Sequence, residues 1–195
     1  MEKGVKILAI LMALFIVPLL LFFLIQGNLE FTGYGIGVSF LVLLVFWLNE
    51  KYKFPQILLW LFSIMIVLHF LGGIVYIGGT RLYDLMLINL IGEPYFILKF
   101  DQAFHTFCYF IVAIIAYYIL RKHAKKSTRY RLMIFAVLIA LGVSLLTEML
   151  EFVMVIVADA AEAVGGYYNT ALDLVSNLIG AVLGAIYVRT FIDKR

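Results

Sequence analysis

Four short stretches place ionisable side chains at helical spacing. LTEMLEF (146–152) sets Glu148 and Glu151 three residues apart, one turn of a helix, in an otherwise apolar run. FDQAFHTFCYF (100–110) sets Asp101 and His105 at i and i+4. NTALDLVSNLIGAVLG (169–184) puts Asp173, Asn177, Gly180 and Gly184 on one stripe, and VLHFLGGIVYIGG (67–79) puts His69, Gly72 and Tyr76 on one face. Carboxylates and imidazoles so arranged do two kinds of chemistry: they hold a divalent cation that activates water, or they share and pass protons. No HExxH, GxSxG or nucleophile–base pair accompanies them, so the constellation itself is the signal.

The elements that position these residues follow from composition. The 195-residue chain is 65% hydrophobic and 14% charged, with a mean hydropathy of +1.09. A soluble domain of this length has no interior large enough for that much apolar surface, whereas a bilayer accepts it. Six mostly apolar stretches, at 5–25, 34–49, 56–78, 101–120, 132–157 and 170–191, match the ~20 residues that cross a bilayer at 1.5 Å per residue. Continuous apolar blocks exclude a barrel of alternating strands. The first run is expected to be a retained anchor, because no small-x-small cleavage site follows it. The expected fold is therefore all-α, a polytopic membrane protein of six transmembrane helices forming one integral domain over 1–195.

Thirteen of the fifteen Lys and Arg residues fall at the N-terminus, in the 2–3 and 4–5 loops and at the C-terminus; only Arg81 and Lys99 lie on the other side. The positive-inside rule then predicts that both termini are cytoplasmic and that the protein sits in a prokaryotic cytoplasmic membrane. The cluster RKHAKKSTRYR (121–131) reads as an anchor beside anionic lipid, so no nucleic-acid partner is expected, and the net charge of +3 comes from these loops. A lone cysteine, Cys108, excludes an intramolecular disulfide. RLYDLMLINLIGEPYFILKF (81–100), interrupted by Gly92 and Pro94, reads as an interfacial or re-entrant hairpin between helices 3 and 4. There is no internal repeat of the kind that builds inverted-repeat transporters.

Depth ties the polar residues together. Span five runs outward while spans four and six start outside, so Glu148, Glu151, Asp101, His105, Asp173 and Asn177 all fall in the outer half. His69 lies ~12 Å below the outer end of span three. One polar pocket built by helices 3–6, about 56–191, is expected on the outer side. A carboxylate at a helix centre costs about 2.5–3.5 kcal/mol on insertion scales unless it pairs, protonates or meets water. With no Lys or Arg in the outer half of any span, the balance must come from His, from protons or from a metal.

In order, LHFLGGIVY, FDQAFHTF, LTEMLEF and YYNTALDLVSNLIGAVLG resemble the uncharacterised YjdF-type inner-membrane proteins and, more distantly, the VanZ-like family associated with glycopeptide-antibiotic resistance. The resemblance covers roughly 67–185. It rests on Asp101 with His105, on Glu148, and on Asp173 with Asn177; His69 and the Gly-Gly after it match the YjdF type alone. It implies a multi-pass membrane protein and supplies no reaction.

Three readings follow. In the first, His69, His105, Glu148 and Asp173 hold zinc, or manganese where oxygen ligands dominate. Candidate catalytic groups are then Glu148, Glu151, Asp101 and Asp173, with Asn177 and Tyr76 supporting the pocket, and the substrate is an envelope lipid or lipid-like molecule. The second is a proton- or cation-coupled permease. The third is a non-catalytic structural network, or a protein that binds a lipid or an antibiotic.

Overall fold

The computed structural model describes residues 3–124, 127–158 and 164–192. Four basic residues behind the orientation argument, Lys125, Lys126, Lys194 and Arg195, lie outside them. Six helices are long and apolar enough to cross a membrane: α1 (Lys3–Ile25), α2 (Leu29–Tyr52), α3 (Gln56–Ile74), α4 (Phe100–His123), α5 (Arg129–Ala158) and α6 (Tyr167–Tyr187), the last continuing through one wider turn, Val188–Ile192.

The helix ends follow local chemistry. Asn28 caps α2, its side chain accepting the N–H of Phe31 at 3.0 Å, which starts the helix earlier than the apolar run at 34 suggests. Lys53, at φ 54°, closes α2 in the left-handed region with its N–H on Asn49 O, and Pro55 follows. Helix α3 stops at Ile74, four residues before the expected end at 78. There the chain reverses in a short hairpin, β1 (Tyr76–Ile77) with β2 (Thr80–Arg81), around Gly78 and Gly79, both at positive φ. The face expected to join Tyr76 to His69 and Gly72 therefore does not form, and Tyr76 is exposed.

A single turn, Leu82–Asp84, leads to a second hairpin, β3 (Met86–Ile91) with β4 (Ile97–Lys99), which runs directly into α4. The expected hairpin between helices 3 and 4 is thus extended backbone. Gln102, in the first turn of α4, ties it down: its Oε1 accepts the N–H groups of Leu98 and Lys99, and its Nε2 donates to Phe96 O.

Two packing solutions matter for the polar residues. Helices α4 and α6 run parallel and touch at backbone level. A Cβ at Gly180 would collide with Thr106 O, and one at Gly184 would meet Phe110 O and Ala113 Cβ. Thr106 Oγ1 bridges the pair by donating to Ser176 O at 3.3 Å. Antiparallel to both, α5 packs through a narrow stripe of small residues, Ala136, Ala140 and Ser144, all fully buried. Its other faces carry exposed apolar residues, as a bilayer-facing helix should. At the opposite end of the bundle, Tyr52 OH meets His123 Nε2 at 2.8 Å and Lys122 Nζ donates to Lys51 O, joining the ends of α2 and α4.

Candidate functional site

The parallel register of α4 and α6 sets the site. Asp101 and His105 lie one turn apart on α4; Asn169, Asp173 and Asn177 lie at successive four-residue steps on α6 and meet them. Asn169 Nδ2 donates to Asp173 Oδ2 at 2.7 Å and to Asp101 Oδ2 at 3.2 Å, so one amide holds both carboxylates. One ligand atom each from Asp101, His105 and Asp173 lies within 4.8 Å of the other two, in a pocket where Asp173 is 1% exposed. The second carboxylate oxygen of Asp173, Oδ1, is buried with no hydrogen-bond partner. A buried, unsatisfied carboxylate oxygen costs more than the bond it lacks, so this position calls for a cation or a proton.

The hydrogen-bond pattern fixes which histidine nitrogen is free. Asn177 Nδ2 donates to Ser144 Oγ at 2.7 Å and to Glu148 Oε1 at 3.4 Å. Its Oδ1 must then accept, and it lies 2.9 Å from His105 Nδ1, which therefore carries the hydrogen. Nε2 of His105 faces Asp101 Oδ1 at 3.6 Å. With a neutral imidazole that is a lone pair facing a carboxylate, an arrangement that a shared cation or a second ring proton would relieve. One imidazole and two carboxylates make a donor set suited to zinc, or to manganese given its oxygen content.

Glu148 and Glu151 extend the buried stripe of α5 past Ser144, where the packing opens and both become half-buried. Neither belongs to the three-residue cluster. Glu148 joins it through Asn177, and Glu151 lies one turn further along α5. Its neighbours Leu150 and Phe152 are exposed.

His69 stands apart from the expected ligand set. Its Nδ1 is 2.8 Å from Tyr83 OH, the same hydroxyl donates to His69 O at 2.8 Å, and the imidazole stacks on Phe104. Burial, followed by the charge of Asp101, pushes the Tyr83 phenol well above its usual value, so it stays a neutral donor. The ring fits over Gly72, where a Cβ would lie 2.5 Å from its atoms. At the mouth of the site, Lys99 Nζ lies 3.4 Å from Asn169 Oδ1 and 3.8 Å from Asp84 Oδ1, and Asp84 also pairs with Arg81 at 2.9 Å. A lysine thus borders the acidic cluster from the residue just before α4.

Sequence spacing pointed to Asp101, His105, Asp173 and Asn177, and these four meet. It missed Asn169, Ser144 and Tyr83. Asn169 was legible as the residue one turn before Asp173, and Ser144 as the residue one turn before Glu148; Tyr83 had no such signal, because only the reversal after α3 brings it to His69.

No curated protein and no solved structure matches this chain. No match supports the VanZ-like resemblance. The model of a family described as a predicted membrane protein, DUF2238, matches residues 7–194, and the chain belongs to that family.

Proposed function

We propose that the Asp101–His105–Asp173 cluster binds a divalent cation, zinc or manganese, and that the protein uses it to bind and transform an envelope lipid by metal-assisted hydrolysis or group transfer. The observation that carries this reading is the buried, unpartnered Asp173 Oδ1 beside a histidine whose free nitrogen faces a second carboxylate. The surrounding amides agree with it: Asn177 holds His105 by Nδ1, and Asn169 holds both aspartates, the outer-layer contacts that fix metal ligands elsewhere. Three protein ligands leave a cation an open position for water or substrate, and there it would supply Lewis-acid activation.

The positive-inside asymmetry supports placing both termini in the cytoplasm and the hairpins outside, with the site open to the outer leaflet. Passage across the membrane is less well supported. In the other half of the bundle the buried polar side chains Asn49 and Ser63 are engaged locally, Asn49 Oδ1 with Phe54 N–H and Ser63 Oγ with Leu59 O.

The test is metal content by plasma mass spectrometry on protein purified in mild detergent. Wild type and Glu50→Gln should carry close to one zinc or manganese per chain, and His105→Ala and Asp173→Asn should lose it. A folded wild type that takes up no divalent cation overturns the reading.

A further inference from the structure

Only Arg81 and Lys99 depart from the charge asymmetry of the chain, and both do so at the mouth of the site. They share one carboxylate. Arg81 Nε pairs with Asp84 Oδ2 at 2.9 Å, whereas Lys99 Nζ stays 3.8 Å from Oδ1, beyond hydrogen-bond distance. Among the described residues the Lys99 ammonium otherwise meets the neutral Asn169 Oδ1 at 3.4 Å and the face of Phe96, 5.8 Å from the ring centre. An ammonium has three donors to satisfy, and this one sits on a side chain only 18% exposed. One long contact to an amide leaves it short of acceptors, so the position calls for an anion.

Asn169 shows where that anion would lie. Its Oδ1 faces Lys99 while its Nδ2 donates to Asp101 and Asp173, so a single carboxamide separates the ammonium from both carboxylates of the cluster. A phosphate spans such a gap when one of its oxygens binds a divalent cation and another accepts from a lysine, the division of labour seen in nucleotide-binding loops. Helix α6 starts at Gly166, three residues before Asn169, and no side chain caps it. The partial positive charge of that helix end favours the same sign of ligand.

We infer that Lys99 receives the phosphate of a phospholipid, one oxygen on its ammonium and another on the Asp101–His105–Asp173 cation, and so restricts the site to phosphate-bearing lipids. This rests on the lipid-directed reading above and narrows it to one headgroup chemistry. Arg81 supports the contact by engaging Asp84, and Asn169 sets the spacing between ammonium and cluster. A neutral glycolipid offers no charge to Lys99.

The experiment is native mass spectrometry of the full chain released from nanodiscs of equimolar phosphatidylglycerol and a neutral galactosyl diacylglycerol, with metal content measured on the same samples. Basic residues at the other end of the bundle also attract phosphatidylglycerol, so the readout is the change between variants. Lys99→Gln should lower the wild-type preference for phosphatidylglycerol about tenfold, the scale of one charge-assisted contact, and keep its metal. Lys99→Arg should restore the preference, and Lys53→Gln, at an exposed lysine paired with Glu50, should leave it unchanged. An unchanged preference in Lys99→Gln, an equal fall in Lys53→Gln, or loss of metal together with the preference in Lys99→Gln overturns the inference. Displacement of the lipid by inorganic phosphate marks a free-anion site and overturns it too. Metal-free wild type with a Lys99-dependent preference overturns the cation reading and leaves the phosphate contact standing; metal-loaded wild type without that preference does the reverse.

Discussion

His105 Nδ1 lies 2.9 Å from Asn177 Oδ1, across the contact between α4 and α6. Because the Asn177 amide nitrogen is committed to Ser144 and Glu148, this one contact sets the histidine tautomer and leaves Nε2 free on the acidic side. Replacing Asn177 with Leu removes the acceptor and leaves His105 Nδ1, Ser144 and Glu148 without it. Metal affinity should fall about 10–100-fold, as it does when such supporting partners are lost. Titration with zinc checks the affinity, and nitrogen NMR of labelled histidine should show His105 losing its single Nδ1–H form.

Bound cation should stabilise the fold by mass action. Zinc at a hundredfold excess over its dissociation constant adds about 2.7 kcal/mol to the wild type. The unfolding temperature in detergent should rise accordingly and return on chelation. Asp173→Asn, which keeps the shape and the contact with Asn169 but removes the charge, should show no rise. A zinc-dependent rise of equal size in this variant would exclude Asp173 as a ligand.

The backbone contact of α4 with α6 is a packing limit. Gly180→Ala drives a methyl group into Thr106 O, and the helices must separate, at a cost of about 1–3 kcal/mol. Gly142, on α5, has nothing within 4 Å of an added Cβ, so Gly142→Ala should stabilise by roughly 0.5–1 kcal/mol through helix propensity alone. Thermal unfolding of the two variants should therefore move in opposite directions.

Tyr83 gives the bundle an alkaline limit. Its phenol is held well above the ordinary value of 10.0, first by burial and then by Asp101. Above pH 10 the unfolded chain releases this proton and the folded chain retains it, so stability present in full below pH 10 falls as pH rises further. Tyr83→Phe should be less stable than wild type at neutral pH, since His69 loses its partner, and the gap should narrow above pH 10. A constant gap across that range would contradict the assignment.

Six spans were legible because apolar runs of bilayer length have few other uses, and Asp101, His105, Asp173 and Asn177 were legible because four-residue spacing survives into any helix. The expected ligand His69 and the expected support Tyr76 show where that reasoning stops. Periodicity continued through Val75 and Tyr76, yet Gly78 and Gly79 reverse the chain there, and the hairpin leaves Tyr76 exposed. The same reversal delivers Tyr83 to His69 over Gly72. Contacts made by a returning chain depend on where a helix ends, and apolar spacing does not carry that. Nor could spacing show that a lysine from the second hairpin reaches Asn169, since Lys99 precedes its span.

The unequal attachment of the helices divides the acidic groups by freedom of movement. Asp101, His105, Asp173 and Asn177 ride on α4 and α6, which are locked backbone to backbone at Gly180 and Gly184 and behave as one fixed jaw. Glu148 and Glu151 ride on α5, which meets that pair at this level through side chains: Ser144 and Glu148 on Asn177, and Thr147 under Tyr109 OH. A tilt of α5 would therefore open or close the glutamates against an unchanged centre, a vise in which only one side travels.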